Sequence, residues 1–217
     1  MGNREGGRVD TSFRSALGRL DQAGQLRKVS KPVSVDHEIA GLMKSYDGDE
    51  ALYFPDVVGY EWPVVGNVFA SSKNCQICFD TDIHGLRKTM SAAIEQEVMP
   101  EIVDGDIPAQ EIVYEGDFDL AELIPALSHS LDDAGRFITA GVIIAKDPES
   151  QVNNASYHRL QLICQNRTAI KLDYGRHLRS AFERLQAKGQ DLEIAVCLGT
   201  DVALNFAAAF MLSLIHI

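Results

Sequence analysis

Five short apolar runs between Glu111 and Leu198, parted by turns and broken by one helical stretch, most constrain what this chain can fold into. They are Glu111 to Tyr114, Phe137 to Ala145, Tyr157 to Cys164, Thr168 to Asp173 and Glu193 to Leu198. Asp147-Pro148, Gln165-Asn166-Arg167 and Tyr174-Gly175 punctuate most of them, and each is a turn signal. A helix is expected from about Arg176 to Lys188, closed by Gly189. Mostly antiparallel strands with a single inserted helix predict a barrel-like β unit.

Upstream, helices alternate with strands. Asp10, Thr11 and Ser12 offer N-caps to a helix whose Phe13, Ala16, Leu17 and Leu20 share one face, and Gly24 stops it. An extended piece from Leu26 to Val35 is broken at Pro32. Asp36 is placed to cap a second helix carrying Ile39, Leu42, Met43 and Tyr46. Asp47-Gly48-Asp49 reads as a turn, and Ala51 to Phe54 and Val64 to Phe69 read as buried strands. Thr81 or Asp82 caps a further helix with Ile83, Leu86, Met90, Ala93 and Ile94 on one side. This pattern predicts a small α/β unit ending near Gly105 or Pro108.

Charge narrows the function. The net charge is −11, yet Glu95 to Asp133 holds twelve acids and no Lys or Arg, which leaves the rest nearly neutral. An acidic surface repels phosphate backbones, so nucleic-acid binding is not expected. The acids lack the tight spacing of a calcium loop and read as a solvated face or a crossing between units. No apolar run of about 18 residues occurs, so no transmembrane segment is expected. The polar first ten residues predict no signal peptide. Cys75, Cys78, Cys164 and Cys197 without an export signal suggest a reducing, cytoplasmic setting. Cys75-Gln-Ile-Cys78 lacks two further ligands at zinc spacing and reads as core packing. His37, His84 and His129 stand alone and read as neither ligands nor catalysts.

The informative region runs from Asn153 to His177. Asn154 and Ser156 can present oxygen ligands beside a strand. Arg159 alternates in phase with Tyr157, Gln161 and Ile163, which puts it on their face of one strand. Arg176 and His177 stand where the helix begins, and free N–H groups with the helix dipole there favour an anion such as a phosphate. Ordinary surface arginines and helix capping are the plainer explanation of the same residues.

Several stretches resemble the UbiD family of decarboxylases. They are Phe13 to Leu17, Lys31 to Ile39, Gly135-Arg136-Phe137-Ile138-Thr139-Ala140-Gly141, Asn154-x-x-Tyr157-x-Arg159 and Gly175-Arg176-His177. Asn154, Arg159 and His177 keep the family's spacing of five and then eighteen residues. The resemblance implies an α+β fold, with an N-terminal α/β domain over residues 1–110. Part of a split β-barrel, flavin-reductase-like cofactor domain would follow over 111–211, with 212–217 as a non-native tail.

It also implies the chemistry. Asn154 and His177 would be two protein ligands of Mn²⁺, with K⁺ as a further candidate cation. Asn154, Ala155, Ser156, Tyr157, His158, Arg159, Lys171, Leu172, Asp173, Arg176 and His177 would line prenylated FMN. Arg159, as the catalytic residue, would hold the substrate carboxylate. The reaction implied is non-oxidative (de)carboxylation of an aromatic or α,β-unsaturated carboxylic acid through a covalent prenylated-FMN adduct. A flavin prenyltransferase would supply the cofactor, and the full-length lyase would be a homo-oligomer. Family members run to about twice this length or more. By the resemblance, the additional part carries a third manganese ligand, a Glu, together with the acidic proton-donor residues and a C-terminal α/β domain. Val202 stands where the family usually has Pro, and Leu212 to Ile217 departs from the pattern. The alternatives are a short accessory subunit binding cofactor or partner without catalysis, and a generic flavin-binding β-barrel reductase, for which no nicotinamide fingerprint is present.

Overall fold

The computed structural model describes residues 9–95, 101–105 and 107–209. The expected tail at 212–217 lies outside them. The fold is mixed α+β, as expected, with three small sheets and helices packed between them.

The first helix, α1 (Phe13–Gln22), buries Ala16 and Leu20, the stripe set by the i, i+4 spacing. Strand β1 (Leu26–Lys28) ends before Pro32 and pairs parallel with β2 (Ala51–Phe54). β2 pairs antiparallel with β3 (Val64–Gly66), which is shorter than the expected run to Phe69. Between β1 and β2 lies α2 (Glu38–Ser45). Its cap position is His37, in the left-handed region at φ 68°, and not Asp36. The Asp36 carboxylate is engaged elsewhere, by Arg136 and Ser128.

A helix not expected from the sequence, α3 (Ser72–Cys78), begins where Ser71 Oγ accepts from the Asn74 N–H at 3.1 Å. It carries Cys75-Gln-Ile-Cys78 with Cys78 fully buried, so core packing is what the pair does. The following helix, α4 (Ile83–Glu95), is capped by Asp82, whose Oδ1 accepts from the Gly85 N–H at 2.7 Å. Glu111 to Tyr114 forms no strand. Its side chains are exposed, and alternation with no neighbouring strand to pair leaves the backbone open to water. A single turn, α5 (Leu120–Leu123), follows, capped by Asp119.

The remaining strands are β4 (Phe137–Ile138), β5 (Val142–Lys146), β6 (Asn153–Tyr157), β7 (Leu160–Cys164), β8 (Arg167–Ile170) and β9 (Ile194–Cys197). They form two antiparallel three-stranded sheets, in the orders β4-β7-β8 and β6-β5-β9. The sequence joined β4 to β5 and extended β7 back to Tyr157. In the structure each break marks the place where the chain leaves one sheet for the other. Phe137 and Ile138 face Gln161 and Leu160, whereas Val142 faces Tyr157. Three residues, Thr139 to Gly141, therefore oppose two, His158 and Arg159. That one-residue offset is a bulge at the corner of a bent ribbon. A Cβ on Gly141 would stand 3.1 Å from Val196 Cγ1, so glycine lets the corner close against β9.

Helix α6 (His177–Gln186) buries Leu178 and Ala181, and Leu178 packs with Ile138, Ile143, Ala145 and Leu160. The last helix, α7 (Val202–Ala208), was also unexpected. It joins both halves of the chain. Val202 and Phe206 pack into the cluster built by Ala16, Leu20, Cys78 and Leu86, with Phe206 edge-on to Phe69 and Phe79. No helix among the described residues is long and apolar enough to cross a membrane.

Candidate active site

β6 alternates its side chains between two packed layers. Ala155 and Tyr157 lie with Val142, Ile144, Leu204 and Ala208, toward α7. Asn154 and Ser156 stand opposite Ala145 and Ile143, the residues that pack beneath α6. This phase brings Asn154 to the start of α6, where its Oδ1 lies 3.3 Å from His177 Nδ1. Asn154 Nδ2 donates to Ser156 Oγ at 3.3 Å, and Ser156 Oγ is 3.1 Å from His158 Nε2. Asn154, Ser156, His158 and His177 thus form one continuous polar strip.

Burial is the main cause that pushes the His158 imidazole below its ordinary value. A hydrogen bond donated to the Lys171 backbone carbonyl and the Asp173 charge pull it back up, and the Arg176 charge adds to the lowering. His158 is therefore tuned toward its neutral form.

Arg159 does not share a strand face with Tyr157, Gln161 and Ile163. It lies at the corner between β6 and β7, where the bulge breaks the alternation. From there its guanidinium reaches back over β4. One terminal nitrogen donates to Asp133 Oδ1 at 3.1 Å, and its carbon sits 4.2 Å from the centre of the Phe137 ring. The side chain remains 56% exposed, while Asp133 is 19% exposed.

Lys171, Leu172 and Asp173 were expected on a strand. β8 ends at Ile170 and they form the loop into α6. Leu172 packs under α6 and its carbonyl accepts from Arg179 at 3.2 Å. Lys171 and Asp173 pair with each other at 3.5 Å in open solvent. Gly175, at φ 74°, turns the chain so that Arg176 is the cap position of α6. Arg176 gives no side-chain cap, which leaves the N–H groups of the first turn pointing outward.

Among the described residues no group of three or more His, Cys, Asp or Glu is arranged to hold a metal. Asn154 and His177 nevertheless suit two ligands of one cation. Bonds of about 2.0–2.6 Å place neighbouring ligands roughly 3 Å apart, close to the observed separation. An amide oxygen and an imidazole nitrogen are both acceptable donors to a borderline-hard cation.

Sequence reasoning missed Asp133 and Phe137. Asp133 was hidden in the acidic stretch, whose members look alike without a structure. Phe137 lay within Gly135 to Gly141, so its position was marked but its contact was not. His129, read as solitary, has Nε2 at 3.4 Å from Thr139 Oγ1 beside the same corner.

Comparison with known proteins identifies the family. Residues 17–101 match the model of the 3-octaprenyl-4-hydroxybenzoate carboxy-lyase N-terminal domain, and residues 101–214 match that of its Rift-related domain. The chain belongs to the UbiD family of carboxy-lyases.

It is 32% identical over 206 residues to an uncharacterized protein of the cooM 5' region of Rhodospirillum rubrum, covering 93% of this chain and 44% of that protein. It is 30% identical to an anhydromevalonate phosphate decarboxylase of Methanothermobacter thermautotrophicus, covering 85% of this chain and 42% of that enzyme. Among solved structures it resembles an evolved dimeric form of the UbiD-class enzyme HmfF from Pelotomaculum thermopropionicum, in complex with prFMN. The TM-score there is 0.85 at 36% identity, covering 91% of this chain and 46% of that one. The chain thus spans less than half the length of these relatives.

Proposed function

We propose that this chain forms the N-terminal part of a prenylated-FMN-dependent (de)carboxylase acting on an aromatic or α,β-unsaturated carboxylic acid. The 3.3 Å approach of Asn154 Oδ1 to His177 Nδ1 carries the reading, since it unites residues 23 apart at the mouth of an uncapped helix. That the related HmfF holds prFMN supports it.

In this reading Asn154 and His177 hold Mn²⁺, and the outward N–H groups of the first turn of α6, with Arg176 and Lys171 beside them, receive the cofactor phosphate. Ser156 and His158 continue the polar lining, while Ala155 and Tyr157 can contribute only backbone to it. Arg159 presents a planar two-pronged cation to the substrate carboxylate and fixes the angle at which the carboxyl group leaves. When bound, the prenylated flavin supplies an electron sink for the pair left on carbon as CO₂ departs. The remaining metal ligand and the acid that returns a proton to carbon belong, by family resemblance, to polypeptide outside this chain. A flavin prenyltransferase as cofactor source, a homo-oligomeric state and a cytoplasmic location complete the proposal.

Two experiments test it. A protein of the relatives' length carrying this segment, co-expressed with a flavin prenyltransferase, should release CO₂ from an unsaturated or aromatic acid. Mn²⁺ added to the 217-residue chain should broaden the His177 ring resonances, and Asn154→Ala should weaken that broadening. If the longer protein binds neither flavin nor Mn²⁺, the proposal fails. An accessory, non-catalytic role for the short chain would instead show cofactor binding without turnover.

A further inference from the structure

We infer that Asp133 and Phe137 are positioning residues that hold the Arg159 guanidinium ready for a carboxylate. The inference rests on the reading of Arg159 given above. A long arginine side chain at an exposed corner has many rotamers, and each must be given up when an anion binds. Here two features restrict it in advance. The Phe137 ring lies under the guanidinium plane at 4.2 Å, a cation–π contact that fixes the tilt of the fork. Asp133 accepts from one terminal nitrogen at 3.1 Å and fixes its rotation. Among the described residues no other side chain is hydrogen-bonded to Arg159.

Asp133 is itself held. Its Oδ2 accepts from the Ser130 N–H at 3.2 Å, and its own N–H donates to the Ser130 carbonyl at 3.1 Å. The segment that follows is tied to β7, because Gln161 Nε2 donates to the Ala134 carbonyl at 2.9 Å and the Leu162 N–H donates to the Arg136 carbonyl at 3.0 Å. The Arg159 hydrogen bond is the main cause keeping the Asp133 carboxyl below its usual range, so it is an anion at neutral pH.

The arrangement orients Arg159 without consuming it. A guanidinium has two edges that can each give a pair of parallel N–H bonds. Asp133 touches it through a single oxygen, on one nitrogen, so one two-donor edge remains for a second carboxylate. With Arg159 still 56% exposed, that edge is reachable from solvent.

The test uses the 217-residue chain and the Nε–Hε signal of Arg159 by NMR, identified by its loss in Arg159→Lys. A dispersed, slowly exchanging signal is expected, with Asp133→Ala moving it to the position of a free arginine. Asp133→Asn, which keeps an acceptor oxygen, should restore it, and Phe137→Leu should shift it toward the free value. Benzoate is the carboxylate probe. Its apparent affinity at Arg159 should fall about tenfold in Asp133→Ala and about threefold or less in Asp133→Asn. An Arg159 signal already averaged in the unaltered chain, or indifferent to Asp133→Ala, overturns the inference. A signal that responds as expected while benzoate binds Arg159→Lys as well as the unaltered chain overturns the carboxylate reading of Arg159 and leaves the clamp standing.

Discussion

The Tyr157 hydroxyl donates to Asn205 Oδ1 at 2.8 Å, joining the strand that carries Asn154 to α7. Asn205 is nearly buried, and its Nδ2 is spent on the Thr200 carbonyl, the Thr200 hydroxyl and the Asp201 carbonyl. α7 in turn is anchored among α1, α3 and α4. The polar strip is therefore positioned from its opposite face, through a side chain that never touches it.

Removing either partner should unfasten that link by different amounts. Asn205→Ala strands the Tyr157 hydroxyl and frees the Thr200 and Asp201 oxygens, which should cost about 1–3 kcal/mol. Tyr157→Phe loses one hydrogen bond and should cost about 1 kcal/mol. Urea unfolding of the two variants checks the order.

The helical core should be the most sensitive region. Leu20 is fully buried among α1, α3, α4 and α7. Leu20→Ala should cost about 2–5 kcal/mol, depending on how far the cluster collapses. Thermal unfolding measured beside Tyr157→Phe would rank the two effects.

His158 should make stability depend on pH. Its folded-state value lies below the ordinary one because of burial. As pH falls from about 8 to about 5, the unfolded chain takes up a proton before the folded chain does, so stability declines. His158→Gln should flatten this part of the profile. Unfolding midpoints across that range, with the His158 ring shift as a direct reading, check it.

Arg136 should give the same sign in a more acidic window. It grips both oxygens of Asp36 and donates to the Tyr60 hydroxyl at 2.7 Å. The Arg136 hydrogen bond is the main cause holding the Asp36 carboxyl below its usual range, with Ser128 second. The ion-pair contribution is complete above the usual carboxylate range and is lost as pH falls through the lowered folded value. The pair is half exposed, so its Coulombic part should be no more than about 1 kcal/mol. Arg136→Met should therefore differ from the unaltered chain at neutral pH and converge with it in acid, as seen by stability curves at several pH values.

Thiol reactivity should separate the cysteines. Burial, aided by the neighbouring Cys75, pushes the Cys78 thiol up to about 11, while Cys164 is exposed. A thiol reagent at neutral pH should label Cys164 first and reach Cys78 only on unfolding. Mass mapping of the labelled sites reads this directly.

How much of this was legible in the residues follows a physical line. Periodicity exposed α1, α2, α4 and α6, because each buries a regular apolar stripe. It missed α3 and α7, whose short spans hold too few turns to show a period. It lengthened strands across Thr139 to Gly141 and His158-Arg159, because a change of sheet leaves no mark in an apolar run. Asn154, Arg159 and His177 were legible by spacing. Their surroundings were not: Asp133 and Asn205 act through partners distant in sequence, and no local pattern announces such a pairing.

The anchoring of α7 also orders events in time. The Thr11 hydroxyl donates to Asp201 Oδ2 at 2.6 Å across a separation of 190 residues, and Phe206 completes the apolar cluster begun by α1. During synthesis the first helices emerge long before the segment that covers them. Their apolar stripe must wait, exposed, until almost the whole described chain has been made. Contacts this remote in sequence slow folding and lengthen the interval in which misassociation competes. Folding helpers that shield nascent chains should matter most for the opening 95 residues, and least for the compact ribbon that bears Asn154 and Arg159.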